Sequence, residues 1–438
     1  MPKAIDPLKR SPSVVGFARF GRACAPIARA AVACALGVGL LSVAIAADEP
    51  SPDPVAALER AVAQEPDDAV LTYFLARYRS QAGDRDGAFA ALEQTLRNGE
   101  GFLPALGLFE GLKNDRRFAA LRARFAERLP RKTDGRVAFT LRDRGLLPEG
   151  IAYDPVARRF YVGSIAKAAI YRIENDGSLT RFSRADAKLD AVLGLAIDAP
   201  RRKLYAVSTN ALTDKGRVRP RNAVMAFDLA SGRWRRTFDV PAARQLNDVA
   251  VAHDGSLLVT DSAGGGVWHI DPAAGTVRAL VPLDGARGAN GIAVDAQGEV
   301  AYVAASRRPL RIDLANGSVT PLALPARENA AAIDGLYWHD GALIGVQNVT
   351  TPARVVRLVL AADGRSVTSV QTLQSHHQQA FDEPTTAAIG PDGLYVLART
   401  YVTRYNAKGR IERPDSLKPP LVLRIPLSGH SRTDAHSG

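Results

Sequence analysis

A short segment that opens the first strand of a repeat recurs six times between positions 149 and 390. Its clearest copy is Asn290-Gly291-Ile292-Ala293-Val294-Asp295, which is followed by a turn and a second apolar run. The opening residues of the six copies are Glu149, Leu193, Asn247, Asn290, Asp334 and Thr385, at intervals of 44, 54, 43, 44 and 51 residues. A period near 45 with several β-runs per unit predicts a β-propeller in which each repeat is one blade.

Each repeat supplies four strand candidates. In the third repeat they cover 247–252, 256–261, 267–270 and 276–281, with turn residues between them. The last repeat lacks a fourth candidate, but an unused strand at 137–141 precedes the first copy. We expect this strand to complete the sixth blade, because closing the ring removes exposed sheet edges. The predicted fold class is mainly β, a six-bladed β-propeller spanning 136–428 with a small N-terminal α-helical domain.

The amino terminus has the pattern of an export signal. Six Lys and Arg residues precede an apolar run at 30–46 that ends in Ala44-Ile45-Ala46, which predicts a signal peptide over 1–46 and a periplasmic or secreted protein. Cleavage would leave no membrane span; the alternative is an uncleaved anchor. Both cysteines, Cys24 and Cys34, lie in this segment, so the rest of the chain cannot use thiolate chemistry. The polar residues 429–438 are predicted to be a disordered tail.

Residues 53–129 show helical periodicity instead of strand alternation. The spacing of Leu75, Gly83, Ala88, Leu92 and Leu96 resembles one degenerate tetratricopeptide repeat. A single such repeat cannot form a peptide-binding groove, because stacking requires about three units. We therefore expect a helical cap packed on or tethered to the propeller, and binding of a protein partner is the alternative.

The opening residues of the repeats are candidates for a metal site. The innermost strands of a propeller line its central channel, so their first residues form a ring at one mouth, called here the motif face. Four of the six residues carry carboxylate or amide oxygens: Glu149, Asn247, Asn290 and Asp334. Calcium takes six to eight oxygen ligands, so this ring predicts a site for Ca²⁺ or another divalent metal. The alternative is that Asn and Asp before Gly simply stabilise turns.

Four short motifs in phase with the repeat carry a family resemblance. Pro148-Glu149-Gly150, Leu246-Asn247-Asp248-Val249, Ala289-Asn290-Gly291-Ile292 and Ile333-Asp334-Gly335-Leu336 resemble the motifs of the senescence-marker-protein/gluconolactonase family, whose propellers are related to strictosidine synthases and paraoxonases. The resemblance implies hydrolysis of lactones or related esters over one catalytic divalent ion, usually calcium.

Carried over by position, the resemblance assigns roles to individual residues. It implies that Glu149, Asn290 and Asp334 bind the metal and that Asn247 is a ligand or a neighbour of the substrate. Asp334 is likened to the general base of the gluconolactonase branch. Asp248 is similar to the acid that follows the asparagine in the paraoxonase branch and is a second catalytic candidate.

Two positions depart from the family pattern. Leu193 stands where the paraoxonase branch would place a catalytic histidine, and Arg244 lies one residue further from Asn247 than in the gluconolactonase branch. Arg244 stays a candidate substrate contact, but the departures leave open a non-catalytic propeller in which the ion is structural and a ligand or protein partner is bound.

Further polar groups are predicted on the motif face by strand order. His376 and His377 lie in the long connection before Thr385 and are candidate substrate contacts. Two long loops, 211–222 and 401–419, connect second to third strands on the same face and carry Lys215, Arg217, Arg219, Arg221, Arg404, Lys408, Arg410, Arg413 and Lys418. A basic rim could steer an anionic small-molecule substrate; the alternative is a basic lid that only keeps the protein soluble. No aromatic residues are stacked among these cations, and we expect no nucleic-acid partner.

Overall fold

The computed structural model describes residues 53–213, 220–283, 288–348 and 352–427. The predicted signal peptide and tail therefore lie outside the described residues, as do Lys215, Arg217 and Arg219 of the first basic loop. Among the helices of the described ranges, none combines the length and apolar character that crossing a membrane requires.

Four helices form the N-terminal domain within the described residues: α1 (Pro54–Gln64), α2 (Ala69–Ala82), α3 (Arg85–Asn98) and α4 (Arg116–Glu127). Each begins after an aspartate whose carboxylate accepts backbone N–H groups of the first turn: Asp53, Asp68, Asp84 and Asp115. Gly83 ends α2 in the left-handed conformation at φ +85°. Apolar side chains of α2, α3, α4 and the loop between α3 and α4 share one core, and the resemblance to a tetratricopeptide repeat stays a prediction.

The predicted six-bladed propeller is confirmed. Within the described residues, twenty-four strands form six four-stranded antiparallel sheets. Blades 1 to 3 consist of β2 (Pro148–Asp154), β3 (Arg159–Ser164), β4 (Ala169–Ile173) and β5 (Leu179–Arg181); β6 (Ala191–Asp198), β7 (Lys203–Thr209), β8 (Asn222–Asp228) and β9 (Trp234–Asp239); and β10 (Leu246–Val251), β11 (Leu257–Asp261), β12 (Gly266–Asp271) and β13 (Thr276–Pro282).

Blades 4 to 6 follow the same order. They consist of β14 (Ile292–Val294), β15 (Val300–Val303), β16 (Leu310–Asp313) and β17 (Val319–Pro321); β18 (Ile333–His339), β19 (Ala342–Gln347), β20 (Arg354–Leu360) and β21 (Val367–Ser375); and β22 (Ala387–Gly390), β23 (Gly393–Arg399), β24 (Leu421–Ile425) and β1 (Arg136–Thr140). Strand β1 pairs antiparallel with β24, with Thr140 opposite Leu421. The prediction that this strand completes the sixth blade and closes the propeller is therefore confirmed.

Glycine at the second position of the motif allows adjacent inner strands to approach closely at the axis. A Cβ on Gly150 would lie 2.0 Å from the Leu193 carbonyl oxygen, and one on Gly291 would lie 2.3 Å from the backbone nitrogen of Leu336. The Gly291 N–H also donates to the Asp334 carbonyl at 2.7 Å, which links blade 4 to blade 5. These glycines are required because the neighbouring atoms are backbone and cannot turn away.

A substitution at this position should therefore be costly. We expect Gly291→Ala to lower the free energy of unfolding by at least about 2 kcal/mol, the effect of forcing an extra methyl into a packed interior. The control is Gly107→Ala, because the Gly107 Cβ would meet nothing within 4 Å and such surface changes stay within about 0.5 kcal/mol. Urea denaturation of both variants measures the difference; equal midpoints would contradict this account of the inner-strand packing.

The helical domain lies on the motif face, beside blades 4 and 5. Arg307, in the loop between β15 and β16, donates to Glu65 at 3.0 and 2.7 Å and also contacts Asp68. Ala331 and Ala332, which lead into β18, pack within the apolar core of the helices. The placement that the sequence left open is thus set by ion pairs and apolar contacts at the face where the inner strands begin.

Candidate functional site

Irregular strand pairing places the motif residues at the axis. The register of the inner strand with its neighbour shifts between Pro148 and Ile151, between Val192 and Leu195, between Leu246 and Val249, and between Ile333 and Leu336. The motif residues of blades 1, 2, 3 and 5 lie within these shifts. Irregularities of this kind redirect side chains out of the regular strand alternation. The opening residues of these four blades are therefore not paired in the regular hydrogen-bond ladder between the first and second strands at the motif face.

The backbone enters three of these positions through a left-handed residue. Leu147, Gly288 and Ala332 have φ of 44°, 88° and 53°, and each lies two residues before Glu149, Asn290 or Asp334. For a non-glycine residue this conformation costs roughly 1–2 kcal/mol. Strain of this size persists where the surrounding structure fixes a functional geometry. The same sharp entry thus precedes three of the four predicted metal ligands.

Direct contacts join blades 4 and 5 within the ring. The Asn290 side-chain amide donates to Asp334 Oδ1 at 2.7 Å. The other Asp334 oxygen accepts from the side-chain amide of Asn348, which also donates to the Pro384 carbonyl at 2.9 Å. Glu149 in blade 1 and Asp334 in blade 5 are 3% and 2% exposed. The structure therefore brings Glu149, Asn290 and Asp334 to one buried spot, and adds Asn348.

Asn348 was not found from the sequence. It follows β19, so it reaches the motif face from the end of a second strand and not from the start of a first strand. The residue that directly follows the second strand differs between blades: it is Ile165, Asn210, Ser262, Ala304 and Thr400 in blades 1 to 4 and 6, and Asn210 Oδ1 accepts the Arg221 N–H. The only available signal was strand order, which returns every second strand to the motif face.

Several buried oxygens of the ring have no hydrogen-bond partner. They are Glu149 Oε2, Asn290 Oδ1, Asn348 Oδ1 and Thr385 Oγ1, the last of which lies beside the Glu149 carboxylate outside hydrogen-bond geometry. A buried polar group without a partner is costly, and such groups call for an explanation. These atoms are acceptors on carboxylate, amide and hydroxyl groups, so a cation would satisfy them together.

The charges of the ring are also unbalanced. Burial raises the pKa of Asp248 and of Asp334 to about 7. Burial, and secondly the charge of Asp334, raise the pKa of Glu149 well above its usual range. Within the described ranges, no ion pair joins any of these three carboxylates to a lysine, arginine or histidine. The site therefore has an excess of buried negative charge that only protons or a bound cation can offset.

The donor set fits a hard divalent cation. Carboxylate and amide oxygens are the ligands that calcium prefers. Within the described part of the chain, no group of three or more His, Cys, Asp or Glu side chains is placed to hold a metal ion. The fit therefore rests on two carboxylates supplemented by amide oxygens, and not on a cluster of acids.

The other predicted residues lie around this spot. The Asn247 side-chain amide donates to Ser262 Oγ at 2.9 Å, and Ser262 Oγ in turn donates to the Ala289 carbonyl at 2.6 Å. The Asp248 carboxylate accepts the backbone N–H groups of Val249 at 2.9 Å and Ile292 at 3.2 Å. Asn247 thus faces the turn between blades 3 and 4, while Asp248 lies against the inner strands of both blades.

Arg244, His376 and His377 remain predictions as substrate contacts. The side chain of Arg244 is exposed on the motif face, and its backbone N–H donates to Asp261 Oδ2 at 2.9 Å. The rings of His376 and His377 are 4.1 Å apart, and His377 Nδ1 is 3.0 Å from Ser375 Oγ. Burial and nearby cations, among them Arg122 of α4, lower the pKa of His376 to about 4. This pair therefore lies at the junction with the helical domain.

A central cavity begins behind the ring. Its volume is about 390 Å³, and it is lined by the inner strands from their second or third motif residue onward, including Gly194, Asp248 and Tyr337. The Tyr337 hydroxyl accepts the Ala387 N–H at 2.5 Å and so connects blade 5 to blade 6. Asp248 and Tyr337 thus separate the ring from the channel that leads to the opposite face.

The fold and the site together define a six-bladed propeller with a buried, oxygen-rich centre at one mouth of its channel. Residues 147–344 match the family described as the SMP-30/Gluconolactonase/LRE-like region. The resemblance inferred from the motifs is therefore confirmed over residues 147–344, and the match contains Glu149, Asn247, Asn290 and Asp334.

Solved structures are similar to this chain at low identity, and one of them has a TM-score above 0.5. The allergen Mala s 1 of Malassezia sympodialis is 15% identical with a TM-score of 0.53, over 71% of this chain and all (100%) of that one. A gluconolactonase from Xanthomonas campestris is 16% identical with a TM-score of 0.46, over 68% of this chain and 91% of that one. Virginiamycin B lyase from Staphylococcus aureus is 15% identical with a TM-score of 0.45, over 67% and 99%. No curated protein matches the sequence.

Proposed function

We propose that this protein is an exported, divalent-metal-dependent hydrolase of lactones or related esters, with calcium as the metal. The observation that carries the proposal is the set of unpaired buried oxygens on Glu149, Asn290 and Asn348 beside carboxylates that lack a cationic partner. The family match over 147–344 supports the choice of reaction class. The predicted signal peptide supports export to the periplasm or the exterior.

We assign metal binding and proton transfer to residues in and beside the ring. Glu149, Asn290 and Asp334 would hold the ion, with Asn247 and Asn348 as further oxygen donors. A bound divalent ion would supply Lewis-acid polarisation of the substrate carbonyl. Asp334, which the resemblance likens to a general base, would accept a proton from the attacking water. Asp248, a buried carboxylate beside the ring that is not among the proposed ligands, is the second candidate for this proton.

The motif face favours an anionic substrate. Arg244 is exposed there, and so are Lys408, Arg410 and Arg413 of the loop between β23 and β24. Positive charge around a mouth raises the local concentration of anions and their rate of entry. The helical domain covers the face beside blades 4 and 5, so a substrate would approach from the side of blades 1 to 3 and blade 6.

One observation favours the alternative of a non-catalytic propeller with a structural ion that binds a ligand or a protein partner. Leu193, the opening residue of blade 2, is 1% exposed and belongs to an apolar cluster with Val207 and Leu246. The opening position of blade 2 therefore places an apolar side chain, not a titratable one, in the ring. In that case the helical domain or the basic loop would carry the binding function.

The two functions are separated by an assay of metal-free protein. Chelator-treated protein is titrated with Ca²⁺ and assayed against matched pairs of lactones and aryl esters with and without a carboxylate. We expect turnover that appears with Ca²⁺, is lost on chelation and is faster for the anionic member of each pair. Tight calcium binding without turnover of any substrate would favour the non-catalytic propeller.

A further inference from the structure

A buried polar network lies in blade 5 between the helical domain and the ring. Its centre is Arg354, the first residue of β20, which is 6% exposed. Its Nε donates to Gln347 Oε1 at 2.6 Å, and its Nη2 donates to the Asn329 carbonyl at 2.8 Å. Burial lowers its pKa to about 10, so the guanidinium keeps its charge at neutral pH. This one side chain joins the end of β19 to the segment that leads into β18.

The network continues from Gln347 to both ring residues of blade 5. Gln347 is 1% exposed, and its side-chain amide donates to the Ala331 carbonyl at 2.6 Å. The next residue, Asn348, donates its backbone N–H to the Ala332 carbonyl at 3.4 Å and its side-chain amide to Asp334. The segments that present Asp334 and Asn348 are thus fixed to each other by the amide of Gln347.

On its other side, the network touches the helical domain. Gly101, in the loop between α3 and α4, has φ +78°, and a Cβ there would lie 2.6 Å from Arg354 Nη2. The neighbouring Glu100 accepts a hydrogen bond from the Arg327 guanidinium at 2.6 Å and donates its N–H to the Arg327 carbonyl at 2.8 Å. The helical loop therefore closes over the guanidinium of Arg354 and holds the segment before β18.

We propose that Arg354 and Gln347 are positioning residues through which the helical domain holds Asp334 and Asn348 in their metal-binding geometry. The helical domain is then part of the construction of the site and not only a cover of the motif face. This inference rests on the proposed metal-dependent function. It assigns the helices a role that the family match, which begins at residue 147, does not include.

The test compares buried Arg354 with Arg202, whose side chain is 36% exposed but pairs with a buried carboxylate, in the full-length protein. Arg354→Met removes the centre of the network, and Arg202→Met removes the pair in which Arg202 donates to both oxygens of buried Asp154, each at 2.7 Å, at the opposite face. Loss of a group that orients metal ligands typically weakens metal affinity about 10–100-fold. We expect at least a tenfold weaker calcium Kd by calorimetry for Arg354→Met. Both variants should melt at lower temperature, and Arg202→Met should keep its Kd within about twofold.

A second variant tests the link from the helices without changing the propeller. Gly101→Ala places a methyl against the guanidinium and disfavours the local backbone, so a weaker calcium Kd is expected again. An unchanged Kd in both Arg354→Met and Gly101→Ala would overturn this inference while leaving the proposed function intact. An equal loss of calcium affinity in Arg202→Met would overturn this inference as well, since the weaker binding would then reflect general destabilisation of the fold. Wild-type protein that binds no divalent ion would overturn both proposals.

Discussion

Replacing Glu149 with glutamine is expected to abolish tight calcium binding and, at the same time, to raise the melting temperature of the metal-free protein. The Glu149 carboxylate is buried, one of its oxygens has no partner, and repulsion from Asp334 adds to the cost of its charge. Glutamine keeps the shape but removes the ionisable group, so the metal-free fold no longer has to bury or protonate it. The calcium Kd should rise more than about 100-fold, because even an outer partner of a metal ligand is worth about 10–100-fold.

Asp154→Asn supplies the matched control at the opposite face. Asp154 is also a fully buried carboxylate at 0% exposure, but Arg202 pairs with it and, together with backbone donors, lowers its pKa against the effect of burial. Removing this paired charge should lower the melting temperature and leave calcium binding unchanged. Differential scanning fluorimetry with and without chelator reads both effects. A Glu149→Gln protein that binds calcium as wild type does would remove Glu149 from the metal site.

The second large effect is a dependence of both stability and calcium affinity on pH. Burial raises the pKa of Asp248 and Asp334 to about 7 and that of Glu149 well above its usual range. A raised pKa means that the folded metal-free protein binds more protons than the unfolded chain between the ordinary pKa near 4 and the raised value. Its stability should therefore fall as pH rises from 5 to 8, the opposite of the usual trend for paired carboxylates.

Calcium should reverse this trend, because the ion and the protons compete for the same oxygens. We expect calcium binding to release protons and to be at least about tenfold weaker at pH 5.5 than at pH 7.5. Chemical denaturation in chelator across this range, and calorimetry in buffers of different ionisation enthalpy, measure the two effects. The Asp154–Arg202 pair contributes little to the change of unfolding free energy between pH 5 and 8. The pKa of Asp154 is lowered, so the stabilisation by this pair is lost only at pH values below the ordinary pKa of a carboxylate. Metal-free stability that is flat or rising between pH 5 and 8 would contradict the assignment.

The parts of the site that repeat with the blades could be predicted from the sequence. Glu149, Asn290 and Asp334 each open a repeat, so the repeat period predicted that they occupy equivalent positions around the propeller axis. Strand β1 could be assigned to the sixth blade because the sixth repeat lacked one strand. Asn348 could not be assigned in this way, because it follows a second strand, where only blade 2, with Asn210, has the same residue type. The irregular pairing that frees Glu149 and Asp334 from their ladders also leaves no mark in a pattern of apolar residues.

The position of the helices was beyond sequence reasoning for a different reason. It depends on contacts between residues far apart in the chain, such as Arg307 with Asp68 and Arg327 with Glu100. Each of these residues is a charged side chain that would be unremarkable on any surface, and only the folded chain pairs them. Arg354 could not be recognised from the sequence either. Arginine is usually a surface residue, but this side chain is buried.

The closure of blade 6 by β1 has a consequence for biosynthesis. Strand β1 is translated before every blade, but its partner β24 is translated after all the others. Glu149 in blade 1 and Asp334 in blade 5 are brought together by the closed propeller. Closure needs β1 and β24, so we expect these two residues to stay apart while the chain is still being synthesised. Pairings of such long sequence separation are slow to form. The proposed metal site would then be complete only after synthesis has passed β24, and a chain exported unfolded would bind the proposed ion at its destination.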